Sequence, residues 1–288
     1  THAGMSKRYV KGVFDLVVLD EASQASEPLS WVPLTSARKA VFAGDANQLP
    51  PTIYSKEAAE GGLAVTLFDR LKDILPASSQ TLLRVQYRMH EDIMSFPSQE
   101  FYEGKLIADD SVAKHVASEL PGVTPSDLIS RPVTYVDTAG AGFDEVWNEL
   151  LESRENKGEA ELAVKLLREL LDSGLKTKDV AILTPYVAQA KLLKTLAHDK
   201  GLEIGSIDGF QGREKEAVIL SLVRSNEAGT IGFLSDMRRL NVAITRARRC
   251  LIVVGDSATI ARHPVYARFV AHAEKLDSHR SAYEWIGA

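Results

Sequence analysis

A single cysteine, Cys250, is all the thiol chemistry that 288 residues hold, so no internal disulfide can form and cysteine-built zinc sites are excluded. Its place in the apolar run CLIVVG makes a core position its expected role. An excess of basic charge is missing too. With 34 lysines and arginines against 39 acids, the net charge is -5, which rules out a polycation that coats nucleic acid or anionic membrane by bulk electrostatics. Any grip on a phosphate chain must be local. No apolar stretch approaches the roughly 20 residues that span a bilayer, and the opening THAGMSKRYVKG has no apolar signal-peptide core. The expectation is a soluble protein of the nucleus or cytoplasm with no membrane partner. The seven histidines show no metal-ligand spacing, and there is no internal repeat or low-complexity tract.

What is present is an alternation. Short β-rich runs, FDLVVL (14 to 19), KAVFAG (39 to 44), PVTYVD (132 to 137), DVAILT (179 to 184), AVILSLV (217 to 223) and CLIVVG (250 to 255), are separated by helical patterns. Continuously apolar strands suit a sheet covered on both faces. The clearest helix runs from Glu159 to Leu171, with Ala163, Leu166, Leu167, Leu170 and Leu171 at helical spacing before Ser173-Gly174. The fold class read from this is α/β, a parallel doubly wound sheet flanked by helices. A polar, proline-containing passage from Leu75 to Ser79 is the expected domain boundary, giving one piece over 1-76 and another over 77-288. The first piece has only two recognisable strands and should leave an edge and an apolar face uncovered. Residues 104 to 131 and 138 to 158 read as insertions over the second piece.

Two places carry carboxylate chemistry. FDLVVL runs directly into Asp20-Glu21, a carboxylate pair at the C-terminal end of a parallel strand, where α/β folds hold ligands. Such a pair can divide the work between holding Mg²⁺, through Asp20, and activating water, through Glu21. A strand ending in an acidic helix cap explains the same two residues equally well. KAVFAGDANQLPPT ends in Gly44-Asp45, then Gln48 and Pro50-Pro51, residue types that an ordinary turn also uses.

Taken in order, however, DEASQASEP, GDANQLPPT, LLRVQYRMH, SIDGFQGREKEAVILSLVRSN and RRLNVAITRAR resemble motifs II, III, IV, V and VI of superfamily one helicases. Their spelling is similar to the branch that includes the nonsense-mediated-decay helicase, senataxin and the immunoglobulin mu-binding helicase, most nearly the last, the DNA polymerase alpha-associated type. The resemblance implies two RecA-like domains: a remnant of the first over 1-76 and a complete second over 77-288. It implies ATP and Mg²⁺ as cofactors and 5′ to 3′ movement on single-stranded DNA or RNA. Site roles follow by the same route. Asp20 would hold Mg²⁺, Glu21 would orient the attacking water, Gln48 would sense the γ-phosphate, and Arg88 and Arg246 would act as arginine fingers. Tyr87 would stack on adenine, with a buried aromatic as the plainer reading. Gly212 and Glu214 would lie near the γ-phosphate and the ribose. Arg239 would join them, on the same helical face as Arg246 in RRLNVAITRAR. Pro51, Thr52, Thr184, Pro185, Tyr186, Ser206 and Asp208 would touch the nucleic-acid backbone or sugar, and Thr1 and Gly4 would be a remnant of another strand contact. Replication or translation machinery would be the partners of the parent enzyme.

One element of that machinery is absent: no G-x-x-x-x-G-K-[ST] run cradles the phosphates anywhere in the chain. Gly140-Ala141-Gly142 is followed by Phe-Asp-Glu, the wrong charge for the task. The expectation is therefore a piece of a longer helicase that needs the upstream part of the same enzyme and by itself hydrolyses ATP slowly or not at all. The rival expectation is an ATP-independent nucleic-acid-binding or docking module, against which the two poised arginines argue.

Overall fold

A computed structural model of the chain describes residues 12–287. They form two compact units, one up to Leu82 and one from Leu83 on, so the division lies downstream of the Leu75 to Ser79 passage read as the boundary. Thr1 and Gly4 lie outside the described residues. Among the described residues no helix is long and apolar enough to cross a membrane.

In the first unit, β1 (Val17–Leu19) pairs in parallel with β2 (Ala40–Phe42), and Phe14 adds an isolated parallel bridge to Ala37. The parallel pairing requires a crossover, which the helix Glu27–Leu34 supplies, with Pro28 in its first turn where a missing N–H costs nothing. Leu19 is buried, whereas Val18 and Val41 are 60% and 49% exposed. The sheet thus shows one apolar face to solvent, as the two-strand count implied. The helix Leu67–Ile74 closes the unit. Thr66 and Asp69 cap its first turn reciprocally, side chain to backbone in both directions.

The second unit is built around a six-stranded parallel sheet. Its strands are β5 (Val133–Asp137), β8 (Val180–Thr184), β9 (Glu203–Ser206), β10 (Lys215–Ser221), β11 (Ala247–Gly255) and β12 (His279–Ser281), in the order β12-β5-β11-β10-β8-β9. β3 (Val85–Gln86) and β4 (Ile107–Ala108) form a small parallel pair beside it, and β6 (Val146–Asn148) and β7 (Ser153–Glu155) an antiparallel hairpin. All four apolar runs assigned to this piece are strands. The central ones, β8, β10 and β11, have fully buried apolar stretches because helices cover both faces.

The helix Lys157–Asp172 packs on one of those faces. Asn156 begins it, its side chain accepting from the Glu159 amide, and Leu166, Leu167 and Leu170 are wholly buried against Val180, Ile182, Ile219 and Ile252. Each such leucine contributes about 1.5–3 kcal/mol through burial. Cys250 is buried in the same cluster.

Candidate functional site

In the first unit the site begins at the end of β1. The chain turns sharply there: Glu21 adopts a left-handed backbone, φ 52° and ψ 38°, uncommon for a residue with a side chain and typical of ligand-binding turns. The Asp20 carboxylate accepts from the Glu21 amide at 3.0 Å. Glu21 caps no helix amide with its side chain. It accepts instead from Gln24, while Asp20, the residue read as the alternative cap, holds the Glu21 amide just before the short turn of helix Ala22–Gln24. Asp20 and Glu21 both stay exposed.

The loop after β2 is stitched to that turn. The Ala22 amide donates to the Ala43 carbonyl at 2.8 Å, and the Asp45 amide to the Ser23 hydroxyl at 3.0 Å. Gly44 lies between these bonds, where a Cβ would come within 2.9 Å of the Ser23 nitrogen. Only glycine allows so close an approach. Asp45 then orders its own loop by accepting from the Asn47 amide and from the Gln48 side chain, both at 2.9 Å. Asp20, Glu21 and Gln48 therefore belong to one hydrogen-bonded edge at the C-terminal ends of β1 and β2. Pro51 and Thr52 follow in the adjoining loop, Thr52 exposed.

In the second unit, residues far apart in sequence converge. Arg88 forms an ion pair with Glu214 and donates to the Thr245 carbonyl at 3.1 Å. Glu214 also accepts from Arg248 at 3.3 Å, and Arg248 and Arg249 both reach Glu216. His90 fixes the register: its amide donates to the Arg248 carbonyl at 2.9 Å, and its ring nitrogen caps the helix Glu91–Phe101 by accepting from Asp92. Burial depresses the His90 pKa, which suits a neutral capping acceptor. Gly212 turns the chain into this cluster with φ +79°. Tyr87, beside Arg88, is 66% exposed, so the buried-aromatic reading of it fails.

Two expectations need correction. RRLNVAITRAR is not one helix: the helix spans Met237–Ile244, Thr245 caps it, and Ala247 already belongs to β11. Arg239 and Arg246 consequently do not share a helical face. Arg246 is 2% exposed, its guanidinium donating to the Val242 carbonyl at 3.0 Å, the Arg213 carbonyl at 3.2 Å and the Thr245 hydroxyl at 2.9 Å. In this conformation it braces the helix-to-strand joint. Arg239 stays outside and binds the Asp208 carboxylate at 3.2 and 3.3 Å.

The second correction concerns the end of β8. Thr184, Pro185 and Tyr186 are buried because β8 is central and the following helix, Val187–Leu196, folds back over it. The Thr184 hydroxyl accepts from the Tyr186 amide, and the Tyr186 hydroxyl accepts from Arg224 at 3.2 Å. None of these three side chains faces solvent. Ser206, whose hydroxyl accepts from Gly209 at 3.2 Å, and exposed Asp208 remain at the surface.

Sequence reasoning missed a polar network above β10. Glu159 is wholly buried and accepts from the Ser221 hydroxyl and the Val223 amide, each at 2.8 Å. Val223 sits at φ 73°, a strained backbone for a β-branched side chain. The next residue, Arg224, forms a buried ion pair with Glu145 at 2.6 Å. The four-residue run VRSN carried no local sign of these partners, which come from the hairpin insertion and a distant helix.

A metal ion finds little here by itself: among the described residues no three histidine, cysteine, aspartate or glutamate side chains converge. Asp20 offers one exposed carboxylate, which fits an ion that arrives on phosphates and keeps most of its waters.

Comparisons with known proteins agree with the motifs. An AAA domain family matches residues 63–258, and a second AAA domain family matches residues 1–56. The chain is 43% identical over 285 residues to the DNA-binding protein SMUBP-2 of Rattus norvegicus, covering 98% of this chain and 29% of that protein. It is 42% identical over 265 residues to the DNA polymerase alpha-associated DNA helicase A of Schizosaccharomyces pombe, covering 89% and 39%. To the ATP-dependent helicase upf1 of the same yeast it is 36% identical over 287 residues, covering 93% and 29%. The chain thus spans between 29% and 39% of the length of these relatives.

Proposed function

Because the chain belongs to the superfamily 1 helicases of the Upf1-like branch, we propose that it serves in an ATP-dependent motor that moves 5′ to 3′ on single-stranded DNA or RNA and unwinds duplexes. The observation that supports this best is the meeting of Arg88, Glu214 and the Thr245-Arg246 joint, which brings residues from three separate motifs together beside a glycine turn. Arginines held by carboxylates and carbonyls are poised for exchange onto phosphate oxygens, whose higher charge and matching planar geometry favour the fork.

Asp20 would hold Mg²⁺ on the triphosphate, and the ion would supply charge neutralisation there. Glu21, set by its left-handed turn, accepts a proton from or orients water at the same edge. Gln48 donates to Asp45 and is placed to trade that bond for a γ-phosphate oxygen. Arg88 supplies transition-state charge, an effect worth about 10³ to 10⁵ in rate for such fingers. Arg246 does so after its guanidinium leaves its interior carbonyls. Exposed Tyr87 offers a flat face to adenine. Pro51, Thr52, Ser206 and Asp208 present small polar groups and backbone to a sugar-phosphate chain, contacts that position without reading bases.

The test is ATP turnover with and without single-stranded nucleic acid. The 288 residues contain no phosphate loop, so the chain alone should give background rates. Fusion behind a loop-bearing segment of a relative should give strand-stimulated turnover that Glu21→Gln abolishes. Strand binding that stays unchanged by nucleotide in that fusion, with no turnover, would establish the ATP-independent binding module instead.

A further inference from the structure

The end of β8 carries a feature that the motor reading does not use. Tyr186 is buried, and on it lies Phe233, whose ring centroid is 5.5 Å away at an interplanar angle of 27°. Phe233 itself is 58% exposed. A phenylalanine stacked on a buried tyrosine, with a guanidinium over its ring, has its plane fixed and still shows more than half its surface to water. Its position is held from several sides. The Phe233 carbonyl accepts from Arg239 at 3.2 Å, and the Arg239 guanidinium lies 5.5 Å from the Phe233 ring centroid.

The preceding residue presses the turn down. Gly232 has φ +53°, and a Cβ there would stand 2.2 Å from the Arg224 guanidinium and 2.8 Å from the Tyr186 hydroxyl. Arg224 in turn is locked by Glu145 and Tyr186. The floor is therefore rigid: a buried ion pair carries a buried tyrosine, and the tyrosine carries an exposed phenylalanine. The whole stack stands at the C-terminal end of a central parallel strand, where open α/β sheets receive ligands.

We infer that Phe233 is a stacking platform for a nucleobase, with Arg239 beside it to exchange its Asp208 carboxylate for the attached phosphate. The inference rests on the helicase reading above and adds to it a base contact that the motifs do not name. A flat π-face backed by a second aromatic selects planar aromatic ligands over aliphatic ones, and a neighbouring guanidinium selects those that carry negative charge. A nucleotide unit has both. The base can belong to a single strand or to a mononucleotide, and the same measurement separates the two.

The experiment compares the chain with Phe233→Ala, Phe233→Leu and Phe233→Trp. Binding of labelled oligothymidylate, of an abasic strand of equal length, and of ATP is measured for each, after circular dichroism melts show that all four fold alike. Stacking predicts that alanine and leucine each weaken oligothymidylate binding roughly 5-fold or more, that tryptophan restores it, and that the abasic strand is unaffected. Weakening of ATP binding alone, with the same leucine and tryptophan pattern, supports the platform and assigns its base to the nucleotide. Leucine behaving like phenylalanine, or no change with any probe, overturns it. A wild-type chain that binds neither strand nor nucleotide also overturns the platform, whereas the helicase reading stands or falls on strand-stimulated turnover in the loop-bearing fusion.

Discussion

Replacing Glu159 by glutamine should abolish a pH dependence of stability that burial of this carboxyl predicts for the wild-type chain. The carboxyl is fully buried at the start of the helix Lys157–Asp172, and one of its oxygens takes both available donors, Ser221 and Val223, while the other has no hydrogen-bond partner. Burial pushes its pKa from 4.5 up to about 8, outweighing the two hydrogen bonds that favour the anion. A folded-state value raised above the unfolded one gives stability that is complete below 4.5 and is lost as pH rises through about 8. At about 1.4 kcal/mol per pH unit, the loss over that window is on the order of 5 kcal/mol. Glutamine keeps an acceptor for Ser221 and Val223 and has no proton to lose. Urea unfolding of both proteins, followed by far-UV circular dichroism at intervals between about pH 5 and pH 9, reads the difference directly. The variant should gain on the wild type steadily with pH and then level off. A constant offset between the two curves would refute the reasoning.

Other outcomes follow from single contacts. Gly44→Ala should destabilise the first unit by about 1–3 kcal/mol, because the methyl meets the Ser23 nitrogen at 2.9 Å, and the loss should show as a lower unfolding midpoint. Arg246→Ala should lower stability by about 3 kcal/mol as well as eliminating turnover in the loop-bearing fusion, since the Val242 and Arg213 carbonyls lose a buried charged donor; unchanged melting would contradict the bracing role. Leu166→Ala, in a site with no exposure, should cost about 2–5 kcal/mol in urea unfolding. Burial pushes the Cys250 thiol up to about 12, so a thiol reagent at neutral pH should label the native protein only at the rate of unfolding.

Sequence by itself determined the chemistry-bearing runs and the fold class. The central strands were legible because burial on both faces makes them continuously apolar, and the helix Lys157–Asp172 because its leucines recur at helical period. The motifs were legible because each is a contiguous string whose residue types suit phosphate and water chemistry. Tertiary structure alone decided what depends on distant partners. β9 and β12 are short edge strands, with too few apolar residues to announce themselves, and exist because β8 and β5 offer free edges. Arg246 turned inward because covalent continuity between a helix ending at Ile244 and a strand starting at Ala247 leaves it at the joint, a geometry hidden by the helical look of RRLNVAITRAR. The strain at Val223 and the exposed stack of Phe233 on Tyr186 arise from segments brought together only by the folded sheet, so no local pattern could encode them.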